Sequence, residues 1–479
     1  KYQIYPMYID GKWVGNDYEV FTEVINPATK EVLGAVPTGG AFEAEKAVDS
    51  AHKAFKAWSK KTAEERHQLL MKWYQLIDKN KNEIARIMTM EQGKSLKEAL
   101  GEVQYANGFI SWYAEEGKRI YGETIPASHP NKRILVRKEP VGVVAAIRPW
   151  NFPAAMITRK VAPALAAGCT CVVKPANQTP LTALKMVELA HEAGIPNGVI
   201  NIITGRASEI GDVWLKDPRV TKITFTGSTE VGKTLMRGAA ENVKKVSLEL
   251  GGNAPFIVMD DANLVKAAEG LVQSKFRNAG QTCICTNRVY VQEGIADKFI
   301  ELFQAELEKL KVGNGLEEGT DIGPLIDKAA YKKVESLVND AVKKGGKVTY
   351  SGLKPAEENG YFYAPTILTA IHDDMECMKD EIFGPLAPIS TFKSEEEVIE
   401  RANNSRFGLA AYVYTENLSR SFRITEQLEY GIIGLNDALP SAVQVPFGGY
   451  KESGLGREGG HFGMEEFLEV KYISIGLDI

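Results

Sequence analysis

The chain has 479 residues, a formal net charge of −5, 44% hydrophobic residues and 25% charged residues. This length predicts two or more domains, and this composition is typical of a folded protein rather than a disordered one. The slightly acidic balance gives no electrostatic case for binding nucleic acid or an anionic membrane.

The chain has no run of about 20 apolar residues that would span a bilayer, and its first residues lack a secretory pattern, so we expect a cytoplasmic protein. Five cysteines are an odd number and indicate no disulfide framework. The six histidines show neither an HExxH motif nor Cys/His ligand spacing, and we therefore predict no metal site.

In chain order, short strands around the turns 10–12 and 26–28 come first, and helical patterns follow. The stretch 41–58 carries Ala and Phe at helical spacing, and Thr62 opens the next helix with a capping box. Residues 132–147 read as two strands.

Helices and strands then alternate regularly, which predicts βαβ units around parallel sheets. The predicted helices are 153–167, 180–193, 207–216, 229–241, 262–278, 296–310 and 327–345. The predicted strands are 169–175, 198–205, 222–227, 245–250, 254–259 and 288–292. The last segment, 467–477, is a strand rich in β-branched residues without a local partner, and we expect it to pair with another segment or another subunit.

Residues 227–234, GSTEVGKT, satisfy the phosphate-loop pattern G-x-x-x-x-G-K-[ST]. A later apolar strand ends in Asp260, as a magnesium-binding partner of such a loop would. A nucleotide hydrolase is therefore one alternative. A glycine turn before a helix also offers its N–H groups to other phosphates, and a turn that binds nothing is a further alternative.

Three residues stand where catalytic side chains are expected. Cys283 follows a glycine-containing turn, where a thiolate nucleophile would be exposed; the alternative is a small buried hydrophobe. Glu249 closes an apolar strand before two glycines, which suits a general base at a sheet edge; a solvent-facing acid is the alternative. Asn151 lies between two prolines, which suits a rigid oxyanion donor; a plain loop is the alternative.

Taken together, these motifs resemble the NAD(P)-dependent aldehyde dehydrogenase superfamily over essentially the whole chain. The stretches that carry the resemblance are VINPATKEVLG, PWNFP, VVKPANQTP, FTGSTEVG, LELGGN, GQTC, EIFGP and PFGGYKESGLGRE. Within the superfamily, NFPAAMITRKVAPALAAGC, SKFRNAGQTCICTNR and PSAVQVPFGG are most similar to the succinate-semialdehyde dehydrogenases.

The resemblance implies an α/β fold with three parts. A Rossmann-like dinucleotide-binding domain would take residues 1–120 and 146–254, and an α/β catalytic domain would take 255–450. A small β oligomerisation arm, 121–145 with 451–479, would join subunits into a homodimer or homotetramer.

The resemblance also implies the chemistry. Cys283 would attack the aldehyde carbon, and the Asn151 amide with the Cys283 N–H would hold the oxyanion. After hydride transfer to the nicotinamide, Glu249 would activate the water that hydrolyses the thioester, so that succinate semialdehyde becomes succinate. A catalytically silent relative is disfavoured because all three residues are present.

The residues that the resemblance assigns to the cofactor, NADP or NAD, are Lys174, Trp150, Asn177, Thr226, Gly227, Ser228, Glu381 and Phe383. Lys233 and Asp260 would lie outside this site, which makes the nucleotide hydrolase a remote alternative. A distal carboxylate on the aldehyde would be bound by Arg159, Arg277 and Ser441, since an arginine fork binds a carboxylate through two bonds. Surface salt bridges are the alternative for the arginines, and another semialdehyde or small aldehyde is the alternative substrate.

Two departures from the family pattern bear on the cofactor. Position 148 is Arg where a small hydroxyl residue is expected, and position 177 is Asn where NAD-preferring members often carry Glu. With Arg148 close to the cofactor and no acid at 177 to repel a 2′-phosphate, we expect NADP to be used at least as readily as NAD. Cys285, two residues from Cys283, is a candidate partner in a redox disulfide, with space filling as its alternative role.

Overall fold

A computed structural model describes residues 2–479 as an α/β protein with two large sheets, which confirms the predicted fold class. The strands are β1 Met7–Ile9, β2 Lys12–Val14, β3 Phe21–Ile25, β4 Val32–Pro37, β5 Glu123–Ile125, β6 Lys132–Pro140, β7 Val143–Ile147, β8 Thr170–Lys174, β9 Ile200–Ile202, β10 Val220–Thr226, β11 Lys245–Glu249, β12 Ala254–Val258, β13 Thr286–Gln292, β14 Lys347–Ser351, β15 Thr366–Thr369, β16 Leu386–Phe392, β17 Phe407–Gly408, β18 Ala410–Tyr414, β19 Ile432–Leu435, β20 Tyr450–Lys451, β21 Gly454–Leu455 and β22 Leu468–Gly476.

The helices follow the predicted alternation closely. They are α1 Ala41–Lys60, α2 Ala63–Lys79, α3 Lys81–Gln92, α4 Leu96–Glu116, α5 Ala155–Ala167, α6 Pro180–Glu192, α7 Ala207–Lys216, α8 Thr229–Ala240, α9 Leu264–Phe276, α10 Ala296–Leu307, α11 Lys328–Lys343, α12 Glu376–Lys379, α13 Glu395–Asn403, α14 Leu418–Gln427 and α15 Gly460–Glu465. No helix within residues 2–479 is both long and apolar enough to cross a membrane.

The first large sheet has the strand order β2-β1-β9-β8-β7-β10-β11-β21, and its strands from β9 to β11 are parallel. The carboxyl ends of β7, β8, β10 and β11 therefore meet at one edge, where ligands bind in sheets of this kind. This edge gathers the segments that follow Ile147, Lys174, Thr226 and Glu249.

The second large sheet has the order β14-β15-β16-β13-β12-β18-β19, in which only β14 runs antiparallel to its neighbour. Its central strand β12 is buried along its whole length, as expected for a parallel strand covered on both faces. The segment that enters β13 carries Cys283, which brings this sheet to the ligand edge of the first.

A separate three-stranded sheet has the order β22-β6-β5. The partner of the last strand lies within the same chain, because β22 pairs antiparallel with β6 from Leu468 opposite Pro140 to Gly476 opposite Lys132. Residues 143–145 and 454–455 were assigned to this arm from the sequence, but they lie in β7 and β21 of the eight-stranded sheet. The role of the arm in oligomerisation stays a prediction.

Helix α5 packs against α4, α2 and the first large sheet and is buried on every side, including the charged side chains of Arg159 and Lys160. A buried cation is tolerated only when a counter-charge or acceptors satisfy it. The surroundings of α5 must therefore supply carboxylates, and these help to shape the site described next.

Candidate active site

The turn before Cys283 has an uncommon backbone conformation. Helix α9 ends at Phe276, two residues earlier than predicted, because Asn278 and Ala279 adopt the left-handed conformation, with φ of 54° and 57°. Gly280 follows with φ of 79°, and a Cβ added there would lie 2.1 Å from the Gly384 carbonyl oxygen. Left-handed backbone is costly for residues other than glycine and is typical of functional sites.

Polar contacts hold this turn. The Asn278 N–H donates to a Glu98 carboxylate oxygen at 2.7 Å, and Gln92 donates to the Asn278 side-chain oxygen at 2.9 Å. Glu98 lies in the first turn of α4, so the turn before the cysteine is attached to the first hundred residues.

Cys283 lies where two cavities meet, and its side chain is partly exposed. The first cavity, of about 270 Å³, also has Glu98, Tyr105, Phe152, Arg159, Arg277 and Ser441 in its wall. The second, of about 360 Å³, also has Trp150, Asn151, Thr226, Gly227, Ser228, Glu381 and Phe383. A ligand in each cavity would thus lie beside this sulfur.

Burial raises the pKa of the Cys283 thiol to about 12, while the nearby Arg159 guanidinium acts to lower it. At neutral pH the free protein therefore holds Cys283 as a thiol. A group that accepts its proton would be needed for nucleophilic attack.

Glu249 ends β11 and is 1% exposed, so the alternative of a solvent-facing acid is wrong. Neither of its carboxylate oxygens has a hydrogen-bond partner among the described residues. Burial, followed by the charge of Glu458, raises its pKa well above the usual value. A buried carboxyl with a raised pKa and free oxygens is suited to proton transfer near neutral pH.

Asn151 is buried beside the turn that carries the cysteine. Its side-chain nitrogen donates to the Gln281 carbonyl at 3.3 Å, and its side-chain oxygen has no partner among the described residues. Its neighbour Trp150 packs edge-on against Phe383, with ring centroids 5.5 Å apart. The structure thus brings Cys283 and Asn151 together in the wall of the second cavity.

The two candidate carboxylate-binding arginines differ in their surroundings. Arg159 forms a buried ion pair with Glu458 at 3.2 Å and packs over the Phe447 ring at 4.2 Å, so it is neither a surface cation nor an unpaired one. Arg277 lies 5.4 Å from the Phe152 ring and forms no ion pair with a carboxylate of the described chain. Ser441 has a buried hydroxyl that also lacks a partner within this part of the chain.

The second cavity contains most residues expected at the cofactor. Ser228 caps α8 by accepting the Val231 N–H at 3.3 Å, and the start of this helix adjoins the cavity. The Glu381 carboxylate accepts the Gly252 N–H at 2.7 Å, and burial raises its pKa to about 7.

Lys174, Asn177 and Arg148 lie outside this lining. The Lys174 ammonium donates to the Asn177 side-chain oxygen at 3.0 Å, and burial lowers the pKa of Lys174 to about 7. Arg148, one of the two departures that favour NADP, is buried and donates to the Thr179 hydroxyl at 2.9 Å and carbonyl at 2.6 Å. Its Nε has no hydrogen-bond partner among the described residues, and the position of Arg148 relative to a bound cofactor stays a prediction.

Cys285 is buried behind the nucleophile candidate. Its thiol donates to the Gly280 carbonyl at 3.1 Å, and Lys275 lies 3.8 Å from its sulfur. Cys283 and Cys285 are both free thiols here, and the redox role of Cys285 stays a prediction.

The residues that suggested a nucleotide hydrolase have other partners. Lys233 forms an ion pair with Glu452, and Asp260 forms one with Arg420 at 2.8 Å. Within residues 2–479 no group of three acidic, histidine or cysteine side chains gathers around a possible metal position.

Sequence reasoning missed four buried charged residues that adjoin the site: Lys94, Glu102, Lys160 and Glu458. Lys160 pairs with Glu458 at 3.0 Å and donates to Thr226 at 2.6 Å. A signal was available for Glu102, because Glu98, Glu102 and Tyr105 follow helical spacing on α4 and share the face at the first cavity.

The two cavities meet at the Cys283 thiol, and a buried carboxyl and an amide lie near it. This arrangement is typical of an enzyme that brings a substrate and a second ligand together at a cysteine. A sequence model of the aldehyde dehydrogenase family matches residues 13–473. The chain belongs to the aldehyde dehydrogenase family, which confirms the resemblance seen in its motifs.

Similar proteins cover almost the whole chain. Glutarate-semialdehyde dehydrogenase of Pseudomonas aeruginosa is 55% identical over 469 residues, which are 98% of this chain and 97% of that protein. Succinate-semialdehyde dehydrogenase (NADP(+)) of Escherichia coli is 54% identical, with 98% and 97% covered. The crystal structure of an E. coli NADP-dependent enzyme superposes with a TM-score of 0.97 at 54% identity, covering 98% of each chain.

Proposed function

We propose that this aldehyde dehydrogenase oxidises a semialdehyde with a distal carboxylate, preferably succinate semialdehyde, using NADP or NAD. The observation that carries the proposal is the first cavity. There Arg277 has no carboxylate partner within the described chain and the Ser441 hydroxyl has no hydrogen-bond partner, while the cavity ends at Cys283. A half-buried cation without a carboxylate partner and a buried, unsatisfied hydroxyl favour a ligand that supplies a carboxylate.

The reaction would begin at Cys283. After the Cys283 thiol loses its proton to solvent, its sulfur would attack the aldehyde carbon. The Asn151 side-chain amide and the Cys283 N–H would donate to the resulting oxyanion. Such donors are worth about 10² to 10³ in rate. The bound nicotinamide would supply the hydride acceptor, which leaves the substrate as a thioester on the sulfur.

Glu249 would complete the reaction as the base that deprotonates the hydrolytic water. Its raised pKa strengthens its carboxylate form as a base, and both carboxylate oxygens, which have no partner among the described residues, could accept from a water molecule. Arg159 and Lys160 form ion pairs with Glu458. They would therefore stabilise the charged form of Glu249 electrostatically rather than bind the substrate directly.

The second cavity would take the pyrophosphate and the nicotinamide half of a dinucleotide. The start of α8 with Thr226, Gly227 and Ser228 offers N–H groups and the positive end of a helix to a pyrophosphate. Glu381 and Lys174 would bind the two riboses, with Trp150 and Phe383 beside them.

The relatives favour no single chain length for the aldehyde, since one acts by name on glutarate semialdehyde and another on succinate semialdehyde. Glutarate semialdehyde is therefore the second candidate substrate. We also propose that the arm joins two copies of the chain, with Val470 and Tyr472 exposed on β22 at the contact.

Cofactor choice can be tested at Asn177, which is exposed and bonded to Lys174. Asn177→Glu should raise KM for NADP relative to NAD, because a carboxylate there repels a 2′-phosphate and accepts from a ribose hydroxyl. Gln178→Glu, an exposed neighbour with the same charge change, is the matched control. A parent enzyme that strongly prefers NAD, or an equal shift in both variants, would contradict this role.

The role of Glu249 can be tested by rapid kinetics. Glu249→Gln should keep a single-turnover burst of reduced cofactor but slow the steady state, because only thioester hydrolysis needs the base. Since its pKa is raised, the parent steady-state rate should increase with pH as Glu249 loses its proton, and the variant should lose this dependence. An equal loss of burst and steady state would assign Glu249 a different role.

The carboxylate site can be tested with a panel of aldehydes and both cofactors. Succinate semialdehyde should have the highest kcat/KM, and butyraldehyde should lose about 1–3 kcal/mol because Arg277 and Ser441 stay unpaired. Arg277→Ala should raise KM for succinate semialdehyde far more than for butyraldehyde, since the charge is remote from the reacting carbon. Equal kcat/KM for both aldehydes in the parent would rule out this site.

A further inference from the structure

A buried ion pair between Lys94 and Glu102 adjoins the site without a role in the chemistry proposed above. Lys94 lies between α3 and α4, Glu102 lies on α4, and their side chains are 1% and 2% exposed. A buried ion pair generally stabilises a fold no better than apolar residues of similar volume would. Stability alone is therefore a weak reason for its presence.

The pair holds the segment that leads into α5. The Lys94 ammonium donates to the Asn151 carbonyl at 2.9 Å and lies 4.1 Å from the centroid of the Phe152 ring. A Glu102 oxygen accepts the N–H groups of Ala154 at 2.7 Å and Ala155 at 3.2 Å. Because α5 has no side-chain cap of its own, Glu102 supplies the acceptor that its first turn needs.

Asn151 depends on these contacts for its position. Its side chain has one weak bond, to the Gln281 carbonyl at 3.3 Å. Its carbonyl, by contrast, accepts from Lys94 and from the Asn278 side chain, each at 2.9 Å. Asn278 belongs to the left-handed turn before Cys283. The Asn151 carbonyl therefore links its own residue to this turn and, through Lys94 and Glu102, to α4.

We propose that Lys94, oriented by Glu102, is a positioning residue that sets the Asn151 side-chain amide relative to Cys283. This rests on the proposed function of Asn151 as an oxyanion donor. Lys94 acts through the Asn151 backbone, and displacement of a catalytic group by about 1 Å can cost about 100-fold in rate.

The test uses two reactions of Cys283 in the full-length enzyme. Acylation by p-nitrophenyl acetate needs an oxyanion donor but no cofactor, whereas alkylation by iodoacetamide forms no oxyanion. Lys94→Met keeps the length of the side chain but removes its charge and its donor. It should lower the acylation rate and the kcat for aldehyde oxidation by about 10- to 100-fold.

Alkylation should be unchanged in this variant, because the groups that most affect the Cys283 thiol are Arg159, Glu381, Glu249 and Cys285, and Lys94→Met changes none of them. A general structural defect would lower both rates together. Lys222→Met, which removes a buried lysine paired with Glu466 at 3.3 Å outside the site, is the matched control and should keep both rates.

Asn151→Ala separates this inference from the proposed function. If Asn151→Ala leaves acylation unchanged, the oxyanion role of Asn151 fails. If it lowers acylation, Lys94→Met should add little in the double variant, because both changes remove the same interaction. Three results would each overturn the positioning role. They are additive losses of acylation rate in the double variant, an acylation rate in Lys94→Met equal to that of the parent, and an equal loss of acylation and alkylation rates in Lys94→Met.

Glu102→Gln keeps the inference testable if Lys94→Met does not fold. Glutamine retains an acceptor for the first N–H groups of α5 but removes the charge that orients Lys94. Acylation should fall by a smaller factor than in Lys94→Met, again with parental alkylation. Unchanged acylation in Glu102→Gln would count against the pair as the positioning device.

Discussion

The site depends on one backbone constraint, the left-handed turn at Asn278, Ala279 and Gly280 between α9 and β13. This turn directs the following residues toward the edge of the other sheet, so that Cys283 reaches the junction of two cavities. Left-handed backbone at two non-glycine residues costs about 1–3 kcal/mol each. The bond from the Asn278 N–H to the half-buried Glu98 carboxylate, worth about 1.5–3 kcal/mol as a bond to a charged group, offsets much of this cost.

Buried charges around this turn are divided between paired and unpaired groups. Glu458 is paired with Arg159 and Lys160, which lowers its pKa against the effect of burial. Glu249 has no such partner, and its pKa is raised. Two carboxyl groups with opposite shifts are expected to do different work, one structural and one in proton transfer. The same division applies to the arginines, since the pairing of Arg159 leaves Arg277 as the cation available to a substrate carboxylate.

Much of this organisation could be predicted because it follows from local patterns. Alternating apolar strands and helices indicate the parallel sheets, and Glu249 is recognisable because it closes such a strand before two glycines.

Contacts between distant segments could not be predicted from the sequence. Arg159 forms its ion pair with Glu458, which lies close to the C-terminal end of the chain. The Asn151 carbonyl accepts from Lys94, which lies in the loop between α3 and α4. The contacts of Arg148 could not be predicted for a related reason, since the direction of its side chain depends on the acceptors at Thr179. The predicted end of α9 is two residues too late because Ala279 does not favour a left-handed backbone, although Asn278 is a residue type that adopts it more readily than most.

The central claim is that Cys283, at the junction of the two cavities, forms the covalent bond to the aldehyde. The most direct measurement compares Cys283→Ala with Cys285→Ala, its buried neighbour, for aldehyde-dependent formation of reduced cofactor and for cofactor binding followed by fluorescence. The account predicts that Cys283→Ala binds cofactor but forms no reduced cofactor, while Cys285→Ala keeps turning over. Substantial turnover by Cys283→Ala, or loss of turnover in Cys285→Ala alone, would contradict it.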